Sequence, residues 1–368
     1  MEKLKPVEHK FKDFFFFFFR FLLKKGRKDF TPLDGNKLKK VLFLRPDKIG
    51  DMVVSLPVFD NLKKTYPHLE LSLLCSLRNY ALVKNDPRFA KIFLYKKRFF
   101  SDLACLKAMR RENYDCVVDM ISNDSITNLF LAGYSVKDKP RLGVQKSKYK
   151  DYYEYSYYHG LDDMRHIIRN TLQLLEAFGI ESEKADGYAP PYIDENARRK
   201  AAGFYEQFGG DGRLNIGFNL SVGNPTRIWS ADKCRRLVEK IVADDGVRVL
   251  VITTPADRPR GDELANGFDE RVVQIPPGLN LSEVSAIIEK LDLLITPDTS
   301  LVHIARSFKV PVVGLYPKPV KNFILWHPYD QQEGAVLSDN NDNIFDITVE
   351  QVYEAYDRIL KTNRGVKR

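Results

Sequence analysis

Residues 41–57, VLFLRPDKIGDMVVSLP, combine an apolar run, a polar turn with one glycine and the start of a helix. The apolar run follows a basic lead-in and predicts a central parallel strand. We expect Gly50 to mark a close backbone approach or an unusual dihedral angle. Pro57 suits the first turn of the next helix, because its missing N–H costs nothing there. The stretch therefore predicts the first strand–helix unit of an α/β fold.

Asp51 lies just after that glycine, at the carboxyl end of the predicted strand. Open α/β sheets bind their ligands at this end of the strands, so the carboxylate can face a substrate there. Aspartate is also a common helix N-cap residue. The pattern alone leaves both interpretations of Asp51 open.

The length and the cysteines indicate the general class of protein. The chain has 368 residues, of which 44% are hydrophobic, and it is long enough for two domains with a core each. Its four cysteines form no CxxC pair and have no zinc-finger spacing. They are therefore predicted to be buried thiols in a reducing compartment.

The net charge of +9 is concentrated at the amino end. Residues 1–28 contain nine Lys and Arg and three acidic residues, so the body of the chain is close to neutral. The aromatic run 14–23 is shorter than the ~20 residues of a spanning helix, and no small-residue cleavage site follows it. Aromatic rings among cations are typical of segments at a membrane surface. We expect residues 1–28 to bind a membrane; packing on the domain or on another subunit is the alternative.

Strand and helix patterns alternate along the body in two series. The predicted strands are 41–44, 69–74, 92–95 and 116–120 in the first series, and 214–218, 247–252, 291–295 and 310–315 in the second. The predicted helices are one that runs to about residue 66, 101–113 and 162–179, and then 230–243, 281–290, 299–308 and 348–360. Residues 146–159 are rich in tyrosine and predict a loop, whose rings are expected to pack rather than to stack on sugars.

Polar residues are densest at 296–303, TPDTSLVH, after a predicted strand. Asp298, Thr299 and Ser300 open a helix, where free N–H groups and the dipole favour an anion such as a diphosphate. His303 lies one turn further and can face the same ligand. A helix cap with a buried histidine would explain these residues equally well.

A second polar stretch, 221–230, places Gly223, Thr226 and Arg227 in the turn after the first strand of the second series. The guanidinium of Arg227 can neutralise phosphate charge. Trp229 either closes a pocket or belongs to the core.

Four segments together resemble glycosyltransferase family 9, typified by bacterial lipopolysaccharide heptosyltransferases. They are RPDKIGD (45–51), HIIRNTLQLLEAFGI (166–180), NLSVGNPTRIWSADK (219–233) and TPDTSLVHIARSFKVPVVGLYP (296–317). The order and separations match the family over residues 39–317. Two positions depart from it: Arg227 stands where the family usually has a lysine before the tryptophan, and Ser300 where it has glycine. These departures leave open a donor other than ADP-heptose.

The resemblance implies a GT-B architecture, two Rossmann-like domains that face a central cleft. The basic segment would be 1–35, the acceptor domain 36–182, the linker 183–195, the nucleotide-sugar domain 196–335, and the C-terminal tail and helix 336–368. Asp51 would be the general base, with the acceptor side formed by Arg45, Lys48 and Gly50. The donor would be bound by Gly223, Thr226, Arg227, Asp298, Thr299, Ser300 and His303.

The resemblance also implies an inverting transfer without a metal or a cofactor other than the nucleotide-sugar. A positioned base contributes typically 10²–10⁴-fold to such a step. The sequence has no D-x-D triplet to hold a divalent ion, so Arg227 and the helix at Thr299 would meet the charge of the leaving diphosphate. It also lacks the G-x-G-x-x-G fingerprint, which argues against a dinucleotide enzyme.

The sequence thus predicts an inverting glycosyltransferase that extends a lipid-linked glycan, such as a lipopolysaccharide core, on the cytoplasmic face of the membrane. Its partners would be a nucleotide-sugar, the lipid-linked acceptor and the membrane surface, and not nucleic acid. A catalytically silent binding protein of the same fold is the alternative, and release of nucleoside diphosphate would distinguish the two.

Overall fold

The computed structural model describes residues 29–366 except 123, 137, 161, 162 and 319, and the expected membrane segment 1–28 lies outside the described residues. The chain divides into two compact units between Gly187 and Tyr188, inside the predicted linker. The short segments 81–85 and 164–167 group with the second unit.

The first unit is built on six parallel strands in the order β3-β2-β1-β4-β5-β6. Their bounds are β1 Lys40–Arg45, β2 Glu70–Ser76, β3 Phe89–Tyr95, β4 Cys116–Asp119, β5 Arg141–Gly143 and β6 Tyr155–Ser156. β1 pairs with β2 on one side and β4 on the other, and its residues from Val41 to Leu44 are fully buried. The predicted central strand is confirmed.

The second unit also has six parallel strands, in the order β12-β11-β10-β7-β8-β9. They are β7 Leu214–Asn219, β8 Val247–Ile252, β9 Val272–Gln274, β10 Leu293–Pro297, β11 Val312–Tyr316 and β12 Ala335–Leu337. The β8 bounds equal the predicted ones, whereas β9 and β12 are additional to the prediction.

Helices connect the strands in both units, as parallel neighbours require. Those described are α1 Ile49–Val53, α2 Leu56–Thr65, α3 Tyr80–Val83, α4 Phe99–Arg111, α5 Ile126–Ser135, α6 Ile167–Leu172, α7 Glu195–Glu206, α8 Ala231–Val242, α9 Arg258–Ala265, α10 Leu281–Ile288, α11 Ser300–Ser307, α12 Val320–Trp326 and α13 Val349–Val366. Several begin at side chains that accept a backbone N–H, such as Asp194 before α7 and Asn280 before α10. Pro57 lies in the first turn of α2, as predicted.

Two local predictions need correction. Gly50 is the second residue of α1 and has ordinary helical backbone, so no unusual dihedral angle is required there. The single helix predicted for 162–179 is instead α6 followed by a 3-10 helix, Gln173–Phe178. The predicted stop is correct, since Gly179 adopts the left-handed conformation (φ 72°) that ends such a helix.

The tyrosine-rich segment is partly ordered as secondary structure. It contains a 3-10 turn, Lys150–Tyr152, and it supplies β6, the edge strand of the first sheet. Tyr149 and Tyr153 are buried and pack together with Leu129 of α5. The packing interpretation is confirmed for these two rings, while Tyr158 remains 64% exposed.

The last helix belongs to the core of the second unit. Val352, Tyr356 and Ile359 of α13 are buried in one cluster with α8 and with β7, β8, β10 and β11. The region predicted as a C-terminal tail and helix therefore belongs to the second unit. This region starts in β12, which is an edge strand of the second sheet.

Candidate active site

A buried arginine organises the carboxyl edge of the first sheet. Arg45 ends β1 and is only 1% exposed. Its Nε donates to the backbone oxygen of Asp51 (3.0 Å), and its Nη1 donates to the backbone oxygen of Met120 after β4. Its guanidinium also forms ion pairs, with Nη1 3.1 Å from Asp47 Oδ2 and Nη2 3.7 Å from Asp51 Oδ1. One cation thus connects the ends of two strands with two carboxylates.

Asp51 is not a helix cap. The N-cap residues of α1 and α2 are Lys48 and Ser55, and Asp51 lies in the first turn of α1. Its side chain is 18% exposed and pairs with Arg45. Lys48 is exposed beside it. The cap interpretation is wrong, and the partly exposed carboxylate is held at the carboxyl edge of the sheet.

Asp47 is the other carboxylate that pairs with Arg45. Burial raises its pKa to about 6, and the nearby charges of Asp51 and Asp119 add to the effect, while Arg45 opposes it. Its Oδ1 is buried without a hydrogen-bond partner among the described residues. Asp47 can therefore take up a proton near neutrality.

A second buried network lies at the end of the neighbouring strand β4. Asp119 is fully buried, and its Oδ2 accepts from Tyr153 Oη (2.7 Å) and is 2.8 Å from Lys146 Nζ. Its Oδ1 accepts from Asn128 Nδ2 (2.9 Å). Lys146 Nζ also donates to the backbone oxygen of Ile121 (2.7 Å). This network fixes the segment that follows β4 and the tyrosine-rich loop.

In the second unit, Arg227 and Asp298 form an ion pair. Arg227 Nη1 is 2.9 Å from Asp298 Oδ2 and donates to the Asp298 backbone oxygen (2.8 Å). Thr226 and Gly223 lie in the same turn, and a Cβ added to Gly223 would meet no atom within 4 Å. Trp229 is buried and donates to the backbone oxygen of Ile347 (3.0 Å), so it belongs to the core.

The amino end of α11 is tied to β7 by hydroxyl and amide groups. Thr299 caps the helix, and its Oγ1 accepts from the N–H of Leu301 (3.3 Å), so that Ser300 is the first helical residue. Asn219 Nδ2, at the end of β7, donates to Thr296 Oγ1 (2.9 Å) and reaches Thr299 Oγ1 (3.4 Å). These contacts keep the positive end of the helix dipole beside Arg227 and Asp298.

His303 is buried one turn into α11. Burial, together with the neighbouring His327, lowers its pKa to about 4, so the ring is neutral at pH 7. Its ring packs against Trp326 (5.5 Å between centroids) and His166 (6.4 Å). Its Nδ1 is buried without a hydrogen-bond partner among the described residues. His303 is buried, as the alternative of a capped helix with a buried histidine requires, and its Nδ1 is a polar atom that a ligand could satisfy.

No group of three or more His, Cys, Asp or Glu side chains within the described ranges could hold a metal ion. No helix in the same ranges is both long enough and apolar enough to cross a membrane.

A family model described as glycosyltransferase family 9 (heptosyltransferase) matches residues 103–356, more than half of the chain. The chain belongs to glycosyltransferase family 9. It is therefore a glycosyltransferase. The matched range includes Arg227, Asp298 and His303, whereas the stretch from Arg45 to Asp51 precedes it.

Curated relatives in family 9 are distant but cover most of the chain. The chain is 22% identical to lipopolysaccharide core heptosyltransferase OpsX of Haemophilus influenzae, over 83% of this chain and 86% of that protein. It is 22% identical to lipopolysaccharide heptosyltransferase 3 of Escherichia coli, over 77% and 83%.

Solved structures show that the fold is that of GT-B heptosyltransferases. A family 9 glycosyl transferase from Veillonella parvula superposes with a TM-score of 0.75, at 19% identity, over 90% of this chain and 99% of that one. The E. coli heptosyltransferase WaaC, solved with ADP-2-deoxy-2-fluoro heptose, gives 0.67 at 16% identity, over 87% and 99%.

Within this family 9 chain the structure brings the predicted site residues into two groups. Arg45, Lys48, Gly50 and Asp51 lie together in the first unit, and the predicted donor residues lie around the β7 turn and α11 in the second. Sequence reasoning did not assign Asn219 or the network of Asp119, Lys146, Tyr153 and Asn128. Asp119 at the end of a predicted strand was the available signal, because strand ends carry the ligands of such sheets.

The raised pKa of Asp47 predicts a pH-dependent stability. Folded Asp47 binds its proton more tightly than unfolded Asp47, so its stabilising contribution is present below pH 4 and is lost as the pH rises through about 6. The Asp47→Asn variant lacks this titration. We expect the free energy of unfolding of the variant, relative to that of the parent, to increase by about 2–3 kcal/mol from pH 4 to pH 6. Urea unfolding across this range measures the difference, and parallel curves would contradict the assignment.

The Asp119 network predicts a large cost for removing its cation. Lys146→Met leaves a buried carboxylate without an opposite charge, and we expect a loss of about 3–5 kcal/mol. Tyr153→Phe removes one hydrogen bond to a charged group and should cost less, about 1.5–3 kcal/mol. The matched control is Lys150→Met, because Lys150 is exposed. Equal unfolding midpoints for Lys146→Met and Lys150→Met would show that the network does not stabilise the fold.

Proposed function

We propose that this chain is an inverting glycosyltransferase that moves heptose or a related sugar from a nucleotide-sugar to a lipopolysaccharide core or a similar lipid-linked glycan. It would act without a metal ion, at the cytoplasmic face of the membrane, to which residues 1–28 would attach it. The observation that carries the proposal is the carboxylate of Asp51, held by Arg45 at the carboxyl edge of a parallel sheet in a family 9 chain.

Asp51 is the proposed general base. A sugar hydroxyl that attacks an anomeric carbon must lose its proton as the new bond forms, and a positioned carboxylate accepts it. Arg45 fixes both the backbone and the side chain of Asp51, so the carboxylate does not need to be ordered by the substrate.

The leaving diphosphate needs positive charge at the moment it departs. Arg227 and the amino end of α11, capped by Thr299, are the proposed source of this charge. Arg227 already forms an ion pair with Asp298. A bound diphosphate would share the guanidinium with that carboxylate. This is possible because the planar guanidinium has several N–H donors, and Nη1 is the one that contacts Asp298.

A thermal-shift experiment with different nucleotide-sugars identifies the donor. The true donor should raise the melting temperature of the pure protein, because selective binding to the folded state stabilises it by mass action. ADP-heptose is the first candidate, because the relatives OpsX and heptosyltransferase 3 are named as lipopolysaccharide heptosyltransferases and WaaC was solved with an ADP-heptose analogue. Release of nucleoside diphosphate with an acceptor glycan tests the proposal. Tight donor binding without release or transfer would replace it with a silent binding protein.

Asp51→Asn tests the base. The substitution keeps the size of the side chain and removes its basicity, so we expect turnover to fall by roughly 10²–10⁴-fold with donor affinity preserved. Asp47→Asn is the matched comparison, because the same change is made to the other carboxylate of Arg45. We expect a clearly smaller loss there. If the two losses are reversed, Asp47 is the base; if Asp51→Asn turns over within a few-fold of the parent, Asp51 has no part in the chemistry.

Arg227→Ala tests the donor charge. It removes the cation and leaves the Asp298 carboxylate near the diphosphate, so we expect weaker donor binding and slower transfer, about 10–100-fold in kcat/KM, on the scale of a charge-assisted hydrogen bond. Arg227→Lys should restore part of the loss, since it returns the charge without the fork. Arg199→Ala, at an exposed arginine of α7, is the control. Equal kcat/KM for Arg227→Ala and this control would remove Arg227 from the donor site.

A further inference from the structure

Helix α4 exposes one apolar and basic face. Phe100 is 85% exposed and Leu103 37%, and Lys107 and Arg111 on the following turns are exposed as well. At about 100° per residue, these four positions fall on one side of the helix. We name this side, together with residues 96–98 before it, the α4 face.

The opposite side of α4 anchors the helix to its unit. Met109 is fully buried in a cluster with residues of β1, β4 and α5, and Cys105 and Leu106 pack against that cluster. The helix is therefore already fixed in place by its inner side. The α4 face is not part of that core, and it presents exposed apolar and basic side chains to the surface.

The positive charges of the α4 face have no ionic partner among the residues that the structure describes. Lys96, Lys97 and Arg98 are exposed, and neither they nor Lys107 and Arg111 form an ion pair within the described part of the chain. Asp102 is the one acidic residue in the stretch 95–111. Its two carboxylate oxygens accept the backbone N–H groups of Lys96 (2.9 Å) and Arg98 (2.8 Å). These bonds hold the loop against the helix and leave the side-chain cations in solvent.

The α4 face begins at the same edge of the sheet as the candidate base. β3 ends at Tyr95, which is in register with Ser76 at the end of β2, and Cys75 is in register with Arg45. Leu77 follows β2 at this edge and is 61% exposed, and Arg78 after it is exposed too. Apolar and basic side chains therefore continue along the edge that carries Asp51.

We propose that the α4 face is a docking surface for an anionic lipid bilayer. Phe100 and Leu103 would enter the boundary between headgroups and acyl chains, while the surrounding lysines and arginines contact anionic headgroups. This surface is formed by residues other than 1–28 and would supply a second contact. Only its purpose, to bring the sheet edge to a lipid-linked acceptor, rests on the proposed function.

The composition of the α4 face favours a bilayer over a protein partner. A stable protein interface buries about 800 Å² per partner around a core that is depleted of charge. Here two apolar side chains are surrounded by five cations. A fluid anionic surface can satisfy such an arrangement without a complementary pocket.

Sedimentation of the full-length chain with lipid vesicles tests the proposal, without donor or acceptor. The vesicles are phosphatidylcholine alone or phosphatidylcholine mixed with phosphatidylglycerol. Two double variants are compared with the parent, Lys97→Glu with Lys107→Glu and Phe100→Ser with Leu103→Ser. The control is Lys39→Glu with Lys139→Glu, which makes the same charge change at exposed lysines of the opposite edge of the same sheet.

We expect the charge variant to bind the anionic vesicles at least about tenfold more weakly than the parent, since each cation near such a surface contributes. We expect the apolar variant to lose several-fold, and the control to bind like the parent. The difference between parent and charge variant should shrink in high salt, because exposed charges are screened. Parent-like melting temperatures of all variants would show that the fold is intact.

Parent-like vesicle binding by both variants overturns the proposal and leaves residues 1–28 as the membrane contact. An equal loss in the control overturns it too, because the effect would then follow net charge alone. Parent-like vesicle binding with reduced self-association in light scattering would instead assign the α4 face to a second copy of the chain. None of these results depends on whether the protein transfers a sugar.

Discussion

The guanidinium of Arg45 must be compensated where it is buried, and the carboxyl edge of the first sheet is arranged around that requirement. Arginine keeps its charge at all ordinary pH values. A buried charge is tolerated only when it is paired and hydrogen-bonded. The two backbone oxygens and two carboxylates around Arg45 meet that condition. In doing so they fix the first turn of α1 and the end of β4, and with them the position of Asp51.

Charged side chains at the strand ends are arranged differently in the two units. The first unit has buried groups of both signs in contact, Arg45 with its acids and Lys146 with Asp119. In the second unit, the pair of Arg227 and Asp298 precedes the helix that carries His303, a histidine that burial keeps neutral. In the first unit, burial raises the pKa of Asp47, and acids with a raised pKa are common in catalytic sites. The second unit places a helix end near an arginine, which is the combination that the proposed donor site uses.

Apolar runs predicted the central strands well. A strand that is buried on both faces consists of consecutive apolar residues, so it can be identified from its own sequence. β8 is an example, and its neighbour β7 was predicted to within one residue. Elements without such a run were missed. α9 has the sequence RPRGDELA with few apolar residues, and β6 has two residues in a tyrosine-rich segment. Charge and composition there resemble those of a loop.

The polar networks were beyond the sequence for a different reason. Asp119 and Lys146 are far apart along the chain, and they meet only because β4 and β5 are parallel neighbours with one register. Arg45 and Asp51 could be found together because the contact is local. A pattern within one segment shows which side chains share a turn, whereas it does not show which strands are adjacent. The capping interpretation of Asp51 was excluded by the structure for another reason, because the sequence pattern does not fix the residue at which a helix begins.

The place of α13 in the core has a consequence for the order of folding during synthesis. All strands of the first unit lie between residues 40 and 156, and its last buried helix ends at Phe178. That unit can fold while the rest of the chain is still being translated, as amino-terminal domains generally do. The second sheet cannot cover its apolar face until α13, near the end of the chain, has left the ribosome. A nascent chain that stalls late would therefore carry one finished unit and one with exposed apolar surface, the kind of species that chaperones bind.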